Sequence, residues 1–227
     1  FGFFPYNNPM KILTAQDVRQ ALPMKAAIEA TKNAYAALCT GRVTIPLRTH
    51  LPIPAEDAAT LFMPAYLQNP EKEDALAIKI VSLFPNNPAK DLALIQAAVL
   101  ALDAKTGQTL ALLEGGSLTA IRTGAASGAA TDFLARPDSR VAAIFGAGTQ
   151  GRTQLEAICS VRDLETVWIV DTDPQRVEQF VDEMRGQGPI PEDLRAARDP
   201  EQALSNADIV CTATTSLKPV YRAADGQ

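Results

Sequence analysis

Histidine, cysteine and basic charge are all scarce in this sequence, and each shortage removes a class of function. His50 is the one histidine of the chain, too few for an imidazole metal site, and no cysteine cluster offers another. Cys39, Cys159 and Cys211 are far apart, form no CxxC pair and are odd in number. They read as buried thiols of a reducing compartment, not as a disulfide framework. Against 26 Asp and Glu stand 21 Lys and Arg, a net charge of −5. Without a basic excess to neutralise a phosphate backbone, nucleic-acid binding is a poor reading. No apolar run reaches the roughly 18 residues that span a bilayer. Aromatics make up 6% of the chain, yet residues 1–9, FGFFPYNNP, hold four of them. That segment has no Lys or Arg and no apolar stretch, so it is no signal peptide. Met10 reads as a natural start and residues 1–9 as a tag or upstream segment.

What is present is apolar bulk: 47% of 227 residues, enough for one or two domains with real cores. The expectation is a soluble protein of the cytosol. Apolar spacing predicts a helix over 15–40, ending at Gly41. Alternation then predicts a strand over 42–51, broken or edged by Pro46, and strands over 60–66, 75–84, 95–103 and 108–114. Lys105-Thr106-Gly107 reads as a hairpin turn in a largely antiparallel sheet. From Ser117 to Ala135 small residues dominate, which predicts a tightly packed, buried helix ended by Pro137. Beyond it, strands and helices alternate: strand 141–146, helix 150–160, strand 166–171, helix 174–185, a weak strand near 194–198, helix 200–206 and strand 208–214. Alternation of this kind means a parallel sheet with crossover helices. Asp225-Gly226-Gln227 follow with no closing helix, so an incomplete C-terminus is expected.

The sharpest motif opens that second half. Val141-Ala-Ala-Ile-Phe-Gly146-Ala-Gly148-Thr-Gln-Gly151 is a strand running into GxGxxG and then a helix. Gly146 permits the tight turn, Gly148 lets backbone approach a pyrophosphate, and Gly151 lets helix pack on strand. The helix N-terminus offers N–H groups to that anion. Asp171 closes the next strand 20 residues past Gly151, where a carboxylate accepts a ribose diol and repels a 2′-phosphate. The motif therefore predicts dinucleotide binding, with NAD favoured and NADP possible. Thr214, at the carboxyl end of the fourth strand of this unit, should lie near the cofactor. Asp171-Thr-Asp173 precedes a helix at Pro174, so Asp173 reads as an N-cap rather than a metal ligand.

Three cations stand in apolar or uncharged stretches. Lys79 lies in a strand with two apolar faces and should be half-buried, in need of an anionic partner. Arg122 is the only charged residue between Glu114 and Asp132, and a guanidinium there matches a carboxylate bidentately. Arg48 lies on the polar side of its strand with Thr44 and His50. Each also fits a plain reading, a buried ion pair for Lys79 and Arg122 and a solvated edge for Arg48. Together, beside a nicotinamide site, they imply a small substrate bearing a carboxylate. His50 could shuttle protons, but with nothing to orient it a surface strand residue is the simpler reading.

Pro46-Leu-Arg48-Thr, Met63-Pro64, Lys79-Ile-Val-Ser-Leu-Phe-Pro85-Asn-Asn87, Leu118-Thr-Ala-Ile-Arg122-Thr-Gly-Ala, Leu134-Ala-Arg136 and Gly146-Ala-Gly-Thr-Gln150 form an ordered series. It resembles the ornithine cyclodeaminase/μ-crystallin family from about Met10 to Gln227. The resemblance implies a Rossmann-type parallel-sheet domain, residues 138–227, after an N-terminal α+β substrate-binding and dimerisation domain, residues 10–137. It implies Arg48, Lys79 and Arg122 at the substrate carboxylate, and Thr149, Gln150, Asp171 and Thr214 at the cofactor. No metal is implied. The family's catalytic aspartate falls in a glycine-rich segment beyond Gln227, and Asp225 sits in no such motif. Where the cyclodeaminases carry a glutamate two residues before Met-Pro, this chain has Leu61. The expected activity is therefore NAD(P)-dependent hydride transfer at the Cα of a small amino or imino acid, of the cyclic ketimine (Δ1-pyrroline-2-carboxylate) type or an amino-acid dehydrogenase. Ornithine cyclodeamination and a non-catalytic, μ-crystallin-like cofactor-binding protein stand as alternatives, and a homodimer is implied by the resemblance alone.

Overall fold

The computed structural model describes residues 9–222; residues 1–8 and Asp225-Gly226-Gln227 lie outside them. The chain divides into two compact units. One holds the residues up to Leu22 together with Asn33–Thr119. The other holds Pro23–Lys32 together with the residues from Ala120 on.

The first unit is built on a sheet with strand order β1-β7-β6-β5-β4-β2, with β3 also on β4. Its strands are β1 (Lys11–Leu13), β2 (Val43–Thr44), β3 (Thr49–Ile53), β4 (Ala58–Leu67), β5 (Ala75–Leu83), β6 (Ile95–Leu102) and β7 (Thr109–Glu114). The turn before β7 matches the sequence reading: the Gly107 N–H donates to the Asp103 carbonyl at 2.8 Å, with φ +75° at Gly107. One strand was not foreseen. β1 joins the sheet parallel to β7, and three residues are too few to show a period.

One expected element, the helix over 15–40, is broken at a proline. The long helix over 15–40 is two helices, α1 (Ala15–Ala21) and α2 (Met24–Cys39). Leu22 before Pro23 leaves helical geometry at φ −128°, ψ 76°, as the clash with the proline ring requires. Thr14 and Asp17 start α1 with a reciprocal capping box. Of the two readings of the strand over 42–51, the broken one holds: it is two pieces, β2 and β3, because Pro46 has no N–H for the ladder. Cys39 ends α2 on the solvent side and is exposed, which corrects the reading of all three cysteines as buried. Cys159 is buried and Cys211 half-buried; burial pushes their thiols up to about 12 and about 11.

The helix α3 (Gly115–Leu134) begins where the Glu114 carboxylate accepts the N–H groups of Gly116 (2.6 Å) and Ser117 (2.8 Å). Arg162 closes its far end, donating to the carbonyls of Thr131, Asp132 and Ala135. The helix is buried along one stripe only, through Ile121, Ala125 and Ala129, rather than all round. Close approach explains the small residues. A Cβ on Gly124 would meet the Thr153 carbonyl oxygen at 2.4 Å, and one on Gly128 would meet Ile28 at 2.7 Å. From Ala120 on the helix therefore belongs to the second unit.

That unit alternates β8 (Val141–Phe145), α4 (Thr149–Cys159), β9 (Thr166–Val170), α5 (Pro174–Met184), β10 (Asp193–Ala196), α6 (Pro200–Leu204) and β11 (Ile209–Thr212). All sheet pairs are parallel, in the order β10-β9-β8-β11. The order reverses between β8 and β11, and an open parallel sheet binds ligands beyond the carboxyl ends of its strands at such a switch. Ile144, Leu155, Val167, Ile169, Phe180 and Leu194 fill the core under 2% exposed.

Asp208 ties this sheet together at its other end. Its carboxylate accepts the N–H groups of Arg140 (2.8 Å) and Val141 (3.0 Å) and pairs with Arg136. These donors hold its carboxyl below the usual carboxylate range. A depressed folded pKa contributes stability that is present above the unfolded value and lost as pH falls through the folded one. Asp208→Ala leaves two N–H groups unpaired and is expected to cost about 1–3 kcal/mol at neutral pH. The deficit should shrink as acid titrates the parent's carboxylate. Urea unfolding at pH 7 and pH 3 reads both; equal deficits at the two pH values would refute the account.

Candidate functional site

The glycine turn leads from β8 into α4. Gly146 holds φ +107°, a conformation open to glycine, and its N–H donates to the Val170 carbonyl at 2.8 Å. A Cβ on Gly151 would fall 2.0 Å from the Gly146 carbonyl oxygen, whereas one on Gly148 would meet nothing within 4 Å. Gly151 is thus required by packing and Gly148 leaves backbone open to a visitor. Gly148 is the N-cap of α4 with no side-chain cap, so the first N–H groups of the helix, from Thr149 to Gly151, lack intrahelical acceptors. Beside them the Gln150 Oε1 is buried without a hydrogen-bond partner among the described residues.

Asp171 stands at the carboxyl end of β9. Its Oδ2 accepts the Ala147 N–H at 2.8 Å and its Oδ1 accepts the Asp173 N–H at 3.1 Å. Burial opposes the charge, but these backbone donors outweigh it and hold the carboxyl below its ordinary range. Oδ1 also accepts the Thr172 hydroxyl at 3.4 Å, but an ionised carboxylate has about four acceptor positions, so Oδ2 can still take a hydroxyl. Asp173 caps α5, accepting the Gln175 N–H at 3.1 Å, as its sequence position implies.

A cavity of about 570 Å3 opens over these strand ends, lined by Gly146, Gly148, Asp171 and Thr214. Thr149, Gln150 and Gly151 are not in its lining; they open the helix beneath. Sequence reasoning missed its opposite wall, which includes Arg198, Asp199 and Val220. The weak strand expected near 194–198 stops at Ala196. Asp199 caps α6 ahead of Pro200, and that early stop leaves Arg198 in a loop at the rim.

The first unit arranges two of the three predicted cations. β4 and β5 pair Met63 with Lys79, and Thr49 of β3 pairs with Phe62. Arg48 directly precedes β3, in the irregular stretch between β2 and β3, and so lies near the Met63–Lys79 pair. Residues directly opposite in antiparallel strands share a face. Lys79 is half-buried and Arg48 exposed. Leu61, paired with His50 and Val81, lies one step along on the same face. His50 is exposed on β3. Arg122 belongs to the second unit and is exposed, not buried, because it points away from the stripe that α3 packs.

A family model for the ornithine cyclodeaminase/mu-crystallin family matches residues 9–224. The chain belongs to that family. Among family relatives, the Δ1-pyrroline-2-carboxylate reductase of Bacillus cereus is 34% identical over 212 residues, covering 93% of this chain. The solved Δ1-pyrroline-2-carboxylate reductase of Thermococcus litoralis, in complex with NADH and L-proline, is 40% identical with a TM-score of 0.86 over 95% of this chain. An archaeal alanine dehydrogenase dimer with bound NAD is 31% identical with a TM-score of 0.84, also over 95% of the chain. This family member spans 64–65% of the length of those three relatives.

Proposed function

We propose that the protein is an NAD(P)-dependent reductase of a small cyclic imino acid of the Δ1-pyrroline-2-carboxylate kind. The second unit holds the dinucleotide: the N-terminus of α4 meets the pyrophosphate, and Asp171 accepts a hydroxyl of the adenosine ribose. A nicotinamide cofactor bound there would supply the hydride that reduces the imine carbon, with a proton from water going to the ring nitrogen. Lys79 and Arg48 in the first unit bind the substrate carboxylate by charge-assisted hydrogen bonds.

The observation that carries the substrate class is Leu61. A cyclodeaminase must also hold the distal ammonium of L-ornithine, and an apolar side chain beside Lys79 offers that charge no partner. A planar imine carrying one carboxylate has no such need. The reductase in the T. litoralis structure supports the same choice. The protein should therefore oxidise NADH in the presence of Δ1-pyrroline-2-carboxylate and release no ammonia from L-ornithine with NAD. Ammonia release at a comparable kcat/KM would transfer the assignment to a cyclodeaminase. Cofactor binding without turnover of either substrate would favour the binding-protein reading. A homodimer is also proposed, since Ile12 (69%), Leu51 (51%) and Leu110 (42%) in the first unit's sheet are exposed and want cover.

A further inference from the structure

The dinucleotide cavity carries a cation opposite its ribose-binding acid. In the parallel pair of β9 and β10, Ala196 is level with Ile169, and the Ala197 N–H still donates to the Ile169 carbonyl at 2.9 Å. The ladder ends there, and Arg198 follows in the loop between β10 and α6, as Asp171 follows the carboxyl end of β9. Both residues line the cavity. The Arg198 backbone is fixed, its N–H donating to Gln202 Oε1 at 2.8 Å, and its Nε makes a long contact to the same oxygen at 3.4 Å. Its two terminal amino groups have no hydrogen bond or ion pair among the described residues. The neighbouring acid does not claim them: Asp199 Oδ1 accepts the Gln202 N–H at 2.8 Å and caps α6.

We propose that Arg198 is the specificity residue that admits NADPH, its guanidinium binding the 2′-phosphate that Asp171 repels. The assignment rests on the dinucleotide reading of this cavity. Asp171 alone makes a diol site, because an ionised carboxylate cannot accept from a phosphate. A planar fork of donors in the loop after the next strand matches phosphate oxygens bidentately and offsets that repulsion. The two residues set the NADPH-to-NADH ratio in opposite directions, and the cavity serves both cofactors with NADH ahead.

Fluorescence titration of NADH and NADPH on purified protein tests this, with Tm recorded for each variant. Arg198→Ala should raise Kd(NADPH)/Kd(NADH) by about tenfold, the loss of one exposed charge-assisted contact. Arg198→Lys should fall between parent and Arg198→Ala, because a point charge keeps part of the attraction. Asp171→Ala should lower the ratio, and adding Arg198→Ala to it should raise the ratio again by a similar factor. Equal weakening of both cofactors by Arg198→Ala would place the guanidinium on a part they share, such as the adenine ring, and overturn the proposal. An unaltered ratio would overturn it too. If the parent binds NADH well and only the ratio test fails, the dinucleotide reading stands without this residue. If the parent binds neither cofactor, both fall.

Discussion

Lys79→Ala should lower kcat/KM for Δ1-pyrroline-2-carboxylate by roughly 10- to 150-fold, the loss of a charge-assisted contact of about 1.5–3 kcal/mol. Lys79 is half-buried in the middle of β5, between Met63 and Val99. An ammonium there is held from bulk water, and a substrate carboxylate beside it is poorly screened. Arg48, just before β3, is exposed, so Arg48→Ala should cost less than Lys79→Ala. NADH affinity should change little in either variant, since the glycine turn and Asp171 belong to the second unit. A structural ion pair makes a different forecast, with Tm falling along with activity. If Lys79→Ala mainly unfolds the protein, or leaves kcat/KM within about threefold, the carboxylate assignment fails.

The second large effect is expected at Gly151. An added Cβ lies 2.0 Å from the Gly146 carbonyl oxygen, a backbone atom of the turn itself, so α4 or the turn must move. The cost should match severe overpacking, about 3 kcal/mol or more, which lowers Tm by roughly 6–12 °C in a chain of this size. NADH affinity should drop with it. Gly148→Ala separates the two effects, because a Cβ there meets nothing within 4 Å. Its Tm should stay close to the parent's while NADH binding weakens by about tenfold, the methyl standing where the pyrophosphate approaches. Should Gly148→Ala bind NADH as the parent does, the turn is not the phosphate site, whatever Gly151→Ala does to stability.

Much of this protein is legible locally. GxGxxG and the aspartate 20 residues on are constraints on consecutive residues, and glycine chemistry alone explains the strand, turn and helix around them. Alternation of β8 to β11 with helices forces parallel pairing, since only crossovers join such strands. The Asp173 cap needs only its own neighbours. Pro46 broke its strand as one of the two readings had it, while Pro23 broke a helix that periodicity had run together; both breaks follow from the missing proline N–H and its ring.

Other features depended on pairing between residues far apart in the chain. Nothing near Lys11–Leu13 announces a parallel partner 100 residues away in β7. The exposure of Arg122 followed from which stripe of α3 is packed, and a stretch of small residues cannot reveal that from composition. Leu61 and Lys79 share a face because β4 and β5 pair in one register, and a slip of one residue would have put them on opposite sides. Arg198 has no motif at all. It lines the same cavity as Asp171 only because β10 pairs with β9 and ends at Ala196. The sequence by itself determined the chemistry of the turn, the acid and the cations, because each is carried by a residue type in a local pattern. The tertiary structure alone decided which of those groups stand side by side, because strand register is a relation between distant segments.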